Sequence, residues 1–184
     1  MNNAKVFLVA ASAAAMLTVA ASPAAAAPTD DTVVTFDVAA GTLDVLAPGT
    51  ANLGSGAPGT NISGSLGPVT VTDSRASADA SWTSNVTTTV FQTGGGTPPE
   101  TILPSEVDYW SGPATATTGT GTFTPGQATL AAAQPLSSVT PLIAFTHLGG
   151  TGNNTATWSP RLVVHVPLDS EAGTYTGTVT HSFA

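Results

Sequence analysis

The chain has 184 residues, a formal net charge of −8 and no cysteine. The lack of cysteine excludes disulfides, thiolate metal sites, a cysteine nucleophile and a lipoprotein anchor. The lack of clustered lysine and arginine argues against nucleic acid and anionic lipid as partners, because phosphate binding needs such clusters. A neutral, carbohydrate-like or basic partner fits this charge better.

The first 26 residues have the pattern of a secretory signal peptide. Lys5 gives a short positive start, residues 6–21 are apolar, and small residues precede a cleavage that we predict after Ala26. Residues 27–184 are predicted to form one domain. Without Lys5, two arginines face 11 acids, which leaves a net charge of −9. No later stretch is apolar enough to span a membrane, so we expect a secreted protein with no membrane insertion after cleavage.

Beyond the signal, short segments of alternating apolar and polar residues are separated by glycine and proline, and helical periodicity is nearly absent. In chain order, strands are predicted at 33–38, 43–47, 69–75, 82–91, 142–148, 157–166 and 174–183, with a short edge strand within 53–66 and a strand or turn at 100–109. Residues 113–126 favour either a strand pair or a loop. The 32 threonines and frequent turn residues predict an all-β fold, an antiparallel Ig-like β-sandwich.

A small charged cluster precedes a tryptophan. Asp73 and Arg75 end one predicted strand and share a face, and Trp82 begins the next strand. We expect an aspartate to hold Arg75 over the Trp82 indole. The cluster is therefore interpreted first as a lock between strands, second as a wall contact and last as a catalytic site.

The aromatic residues divide into core and surface candidates. Trp82 and Trp158 fall on the apolar side of their strands and are predicted to be core anchors. Trp110 lies at a strand end and is the best candidate for an exposed ring. His181 shares a face with Tyr175 on the last strand, so we expect it to be half-buried near the rim of a sheet.

The sequence gives little support for a catalytic site or a metal site. The three histidines lie on separate predicted strands, without metal-binding spacing and without a Gly-x-Ser-x-Gly elbow. Asp73, Asp79, Glu106 and Asp108 are candidates for the paired carboxylates of a glycosidase, but a solvated face explains them more simply. We expect a non-enzymatic protein with no metal and no cofactor.

Four segments carry a resemblance to a known family. They are GSLGPVTVTDSR at 64–75, ASW at 80–82, ILPSEVDYWSG at 102–112 and TATWSPRLVVHVPLDSEAGTYTGTVTHS at 155–182. In this order they resemble the WxL domain family of Gram-positive surface proteins, in particular its small secreted single-domain members. The resemblance implies a β-rich sandwich and non-covalent attachment to the cell wall through peptidoglycan.

The two Trp-x-Leu motifs that name the family are altered in this chain. The first reads Trp82-Thr83-Ser84, and His181 stands where the second would have tryptophan. We expect a secreted, extracellular or wall-associated protein whose partner is a cell-wall glycan. The alternative is a structural or protein-interaction module that binds another surface protein. The expected binding region comprises Asp73, Arg75, Trp82, Trp110, Tyr175 and His181.

Overall fold

The computed structural model describes residue 30 and residues 32–183. The predicted signal peptide and its cleavage site lie outside these residues. Residues 32–42 form no strand, so the strand predicted at 33–38 is wrong. The alternation is present there, but an isolated extended segment gains nothing until a neighbour pairs with its backbone groups.

Strands make up nearly all of the regular structure between residues 38 and 183. They are β1 Leu43–Leu46, β2 Asn61–Ser65, β3 Val69–Asp73, β4 Trp82–Thr88, β5 Phe91–Gln92, β6 Thr101–Ile102, β7 Val107–Trp110, β8 Ala114–Thr118, β9 Thr122–Pro125, β10 Gln134–Pro135, β11 Leu142–Leu148, β12 Asn154–Trp158, β13 Arg161–His165 and β14 Val179–Phe183. The described residues add only single 3₁₀ turns, at Pro98–Glu100, Pro104–Glu106 and Leu130–Ala132.

Three four-stranded sheets contain most of these strands. Sheet A has the order β1-β3-β12-β8, sheet B the order β10-β7-β13-β2, and sheet C the order β14-β4-β11-β9. Strands β5 and β6 pair separately, and every strand pairing is antiparallel. Non-neighbouring segments of the chain thus lie side by side, as in a sandwich with long crossing connections.

Sheets A and B are built from the same three chain segments, each broken once. Strand β2 continues into β3, β7 into β8, and β12 into β13, and the three segments keep the same order in both sheets. Each break contains a proline: Pro68, Pro113 and Pro160. Proline has no N–H to donate to a strand ladder, so each segment is interrupted at its proline. The three interruptions coincide and divide one long sheet into two. The strand predicted at 157–166 is therefore two strands.

Sheet C packs against both A and B. The Phe145 ring of β11 stacks on Trp158 of β12, with ring centroids 4.8 Å apart. His181 of β14 lies against Tyr109 of β7, at 5.8 Å between centroids. The core between the layers comprises chiefly Val69, Val71, Trp82, Val86, Val107, Tyr109, Phe145, Ala156, Trp158, Leu162 and Val164. The prediction of an all-β antiparallel sandwich is confirmed.

Other sequence predictions are confirmed with changed boundaries. Residues 113–126 contain two strands, β8 and β9, but these belong to different sheets, so the predicted pairing of the two strands with each other is wrong. The last strand begins at Val179 instead of residue 174, although an isolated bridge joins Gln92 to Thr176. Strand β3 buries Val69, Val71 and Asp73 on one face, as the alternation predicts.

Candidate functional site

The cluster around Asp73 is a buried strand-to-loop lock. The Asp73 side chain is fully buried, and it accepts hydrogen bonds from Arg75 Nε at 2.9 Å and from Arg75 Nη2 at 2.7 Å. Arg75 Nη2 also donates to the Ser81 carbonyl, at 3.0 Å. Hydrogen bonding from Arg75 holds the pKa of Asp73 below its ordinary value, against the opposing effect of burial. An aspartate holds Arg75, as predicted, but the guanidinium binds the Ser81 carbonyl, and the described ring contacts of Trp82 are to Phe145, His147 and Phe183, without the predicted stacking of Arg75 on the indole.

The link from this lock to Trp82 passes through a residue that sequence reasoning missed. Asn154, on β12, donates its side-chain N–H to Asp73 Oδ2 at 3.2 Å and accepts the Trp82 indole N–H at 2.8 Å. Trp82 is 5% exposed. A tryptophan buried in this way anchors the core, as predicted, and offers no open face for a ligand to stack on.

His181 lies half-buried beneath the rim of sheet C, as its position predicts. Its Nε2 lies 3.1 Å from the Tyr109 hydroxyl, which also accepts the Trp158 indole N–H at 3.3 Å. Burial lowers the pKa of His181 from 6.5 to about 4 and raises the pKa of Tyr109 above its ordinary value. Its Nδ1 is shielded from solvent and has no hydrogen-bond partner among the described residues. Trp82 and His181 thus both belong to the interior side of sheet C.

Tyr175, the other residue expected near the second altered motif, holds loops together. Its hydroxyl lies 2.9 Å from the Pro99 carbonyl and 2.9 Å from the Glu171 carbonyl. The ring packs partly buried against the core. The contacts of Tyr175 are therefore structural, between the turn at Pro98–Glu100 and the loop that leads to β14.

Trp110 is the one predicted binding residue on an outer face. It lies on β7 directly opposite Arg161 of β13, and Arg161 lies opposite Ser65 of β2. Directly opposed residues of an antiparallel pair share a face. The Trp110 indole N–H is shielded from solvent and has no hydrogen-bond partner, and Arg161 forms no ion pair with an acid, among the described residues. A partly buried ring, a guanidinium without an ion pair and a hydroxyl thus lie in one row across sheet B.

A second polar group lies on the same face around His165, four residues further along β13. His165 Nε2 lies 2.9 Å from Asp108 Oδ2, and His165 Nδ1 lies 3.0 Å from Asn61 Oδ1. The side chain of His165 is 41% exposed and that of Asp108 is 27% exposed. We call the outer face formed by Asn61, Ser65, Asp108, Trp110, Arg161 and His165 the sheet B platform. Alternation along the sequence puts His165 on the solvent face with Arg161, and the structure agrees, but the pairing of His165 with Asp108 could not be predicted from the sequence.

The carboxylates considered for hydrolysis do not meet in one cleft. Asp73 is buried against Arg75, Asp79 accepts the Ser81 hydroxyl at 2.6 Å, and Asp108 is paired with His165. Glu106 alone of these acids lines a cleft of about 480 Å³, together with Asp169. Both nitrogens of His165 are engaged, so neither is open to activate a serine.

His147 is a buried polar residue to which the sequence assigned no role. It is fully buried on β11, with Nδ1 at 2.9 Å from the Ala80 carbonyl and Nε2 at 2.8 Å from the Thr120 carbonyl. Phe123 stacks on its ring at 4.3 Å between centroids, and Trp82 lies on it at 5.7 Å. His147 therefore joins two loops at one end of sheet C and is not accessible to a ligand.

Within residues 32–183, no three histidine, aspartate or glutamate side chains are grouped so as to hold a metal ion. In the same part of the chain no helix has the length and apolarity to cross a membrane. No protein-family model matches the chain, and no curated protein is similar to it. The WxL resemblance therefore stays a prediction from the quoted motifs.

Proposed function

We propose that this is a secreted, non-enzymatic protein that associates non-covalently with the cell wall by binding a wall glycan on the sheet B platform. The observation that supports this most is the pairing of Trp110 with Arg161 across β7 and β13. An aromatic ring stacks on the C–H face of a sugar, and neighbouring polar groups receive its hydroxyls. The platform offers both in one plane.

The polar groups of the platform suit a hydroxyl-rich neutral ligand. Asp108 and Asn61 can accept hydrogen bonds from sugar hydroxyls, whereas Arg161 can donate to sugar oxygens. Asp108 and His165 already hold each other at 2.9 Å, so these two groups are preorganised before a ligand arrives. Preorganisation lowers the entropy lost on binding.

This proposal moves the binding role away from most of the altered Trp-x-Leu residues. Trp82 and His181 lie on the core side of sheet C, and Asp73 is used by Arg75. The contacts of Trp82, His181 and Asp73 therefore support a structural role for these residues. Of the residues expected in the binding region, Trp110 is the one that the proposed mode retains as a direct contact.

Co-sedimentation with purified cell wall tests the proposal. The chain 27–184 should be retained at modest salt well above an unrelated acidic sandwich. Replacing Trp110 by alanine or Arg161 by glutamine should weaken retention about tenfold, which corresponds to roughly 1.4 kcal/mol. Thr155→Ala, on the outer face of sheet A, is the matched control and should bind as the parent does. The proposal would be refuted if the parent and its three variants were retained equally, or if none of them was retained.

A second candidate function is a protein-interaction module without glycan affinity. Uncharged edge strands support it, because an open edge pairs readily with another strand. Strand β8 carries no charged residue, and four of its five residues are exposed. Retention on whole cells that is lost after removal of surface proteins, but unchanged after wall digestion, would favour this second function over the first.

A further inference from the structure

The segment before β1 carries apolar side chains with nothing to bury them. Residues 32–42 form no strand, yet Val33, Val34, Phe36 and Val38 are 90%, 78%, 84% and 76% exposed. Single exposed apolar residues are ordinary, but four within six positions are not. We call residues 32–38 the arm.

The arm has the pattern of an amphipathic strand. Val34, Phe36 and Val38 fall on one face of an extended chain, and Thr35 and Asp37 fall on the other. Valine, phenylalanine and threonine favour the extended conformation. Among the described strand pairings none includes the arm, and its apolar side chains are exposed.

The open edge of sheet C supplies a strand to pair with and an apolar surface for the inner face of the arm. Strand β14 pairs with β4 on one side only and ends the sheet. Its inner residues Val179, His181 and Phe183 are only partly buried, and Thr180 and Ser182 point outward. A strand added beside β14 would cover these inner side chains with an apolar face and continue the same alternation.

Strand β14 has none of the charged or proline residues that protect edge strands from pairing with another strand. Natural edge strands are protected by lysine, inward charges, proline or bulges. Strand β14 contains no charged residue and no proline, and the sequence has no lysine after Lys5. The neutral edge also avoids repulsion, since the acids of the chain would oppose the approach of a second copy elsewhere.

We propose that the arm of one copy adds as a strand to the β14 edge of a second copy, so that the chain assembles head to tail. One chain carries an unpaired donor segment and an unpaired acceptor edge, and each fits the other. A contact between two different surfaces of identical chains is heterologous, and it builds rings or open filaments. This proposal uses surfaces other than the sheet B platform and stands independently of glycan binding.

Light scattering after size exclusion tests the assembly with the chain 27–184. The parent should show a mass above the monomer that rises with concentration. Phe36→Asp should be monomeric, and the matched control Thr35→Asp, which adds the same charge on the opposite face, should assemble as the parent does. A monomeric parent at all concentrations, or equal behaviour of the two variants, would overturn the proposal.

Cross-linking tests whether β14 is the acceptor edge. Because the chain has no cysteine, only the introduced cysteines can react. A Thr35→Cys copy is mixed with a tagged Thr180→Cys copy and treated with a short bis-maleimide. The mixed dimer should form at least about tenfold faster than with a tagged Thr72→Cys copy, whose cysteine lies on sheet A. Equal rates would overturn the placement on β14. A peptide of residues 30–40 should also bind the Phe36→Asp chain, and failure to bind would count against strand addition.

Discussion

Asn154 accepts the Trp82 indole N–H at 2.8 Å and, with its own N–H, binds Asp73 at 3.2 Å. One amide thereby joins sheet A to sheet C and connects the charged cluster to the core tryptophan. Because Trp82, Asp73 and Asn154 are all buried, water cannot replace any of these bonds. The three side chains form one network, in which Asn154 is the partner of the Trp82 indole N–H and adds to the bonds that Asp73 already accepts from Arg75.

Replacing Asn154 by alanine should lower the free energy of unfolding by about 2–4 kcal/mol, because it leaves the buried Trp82 indole N–H without a partner and removes one of the hydrogen bonds to Asp73. Denaturant unfolding at neutral pH measures this loss. Asn153→Ala is the matched control: its side chain is exposed and accepts one bond, from the Ala76 N–H at 3.2 Å. We expect that variant to lose no more than about 1 kcal/mol. Equal losses would show that the network is unimportant.

Asp73→Asn should destabilise the fold and remove part of its acid sensitivity. The pKa of Asp73 is lowered in the folded state from 3.8, so its contribution is present above that value and is lost as the pH falls through the lower folded pKa. Removing the charge leaves Arg75 without its acid, at a cost of roughly 2–3 kcal/mol at pH 7. Unfolding curves between pH 2 and pH 7 test this, since the variant should show a smaller loss below pH 3.8.

His181 should make the fold less stable in mildly acidic solution. Its pKa is about 4 in the folded chain, against 6.5 when exposed. Between these values the unfolded chain binds a proton that the folded chain does not, so stability falls as the pH is lowered. The loss approaches roughly 3 kcal/mol at pH 4. His181→Phe should remove this slope, and an unchanged slope in the variant would assign the acid sensitivity to other groups.

His147→Phe should keep the stack with Phe123 and remove the ring nitrogens that lie against the carbonyls of Ala80 and Thr120. At least one buried carbonyl would then lose a ring N–H donor, and we expect a loss of about 1–3 kcal/mol. Hydrogen exchange should show faster opening of the loops around residues 80 and 120 than of β12. Uniform acceleration across the sandwich would contradict a local role in joining these loops.

Strand faces could be predicted from the sequence, but strand neighbours could not. Alternation placed Asp73 beside Val71 on the buried face, and it placed Trp158 in the core. It could not show that Trp110 meets Arg161, because that contact depends on the register between β7 and β13. Asn154 was missed for a related reason: Asn153-Asn154 resembles a turn, and only pairing with β3 turns Asn154 inward.

The prediction of a strand at 33–38 is wrong because alternation alone does not provide a strand with a partner. The local pattern is correct for a strand, but a strand also needs a partner, and none of the described pairings includes this segment. The failure left four exposed apolar residues, and these point to a partner from another copy. A segment that alternates like a strand but pairs with no strand of its own chain can therefore indicate a site of interaction with another chain.

The indole region of a ¹H–¹⁵N spectrum tests the central claim most directly. The chain has three tryptophans, so three indole N–H signals report on Trp82, Trp110 and Trp158. Titration with soluble peptidoglycan fragments should shift the Trp110 signal, together with the backbone signals of β7 and β13, and leave the other two indole signals in place. Shifts of Trp82 or Trp158 without Trp110, or no shifts at saturating fragment, would contradict glycan binding on the sheet B platform.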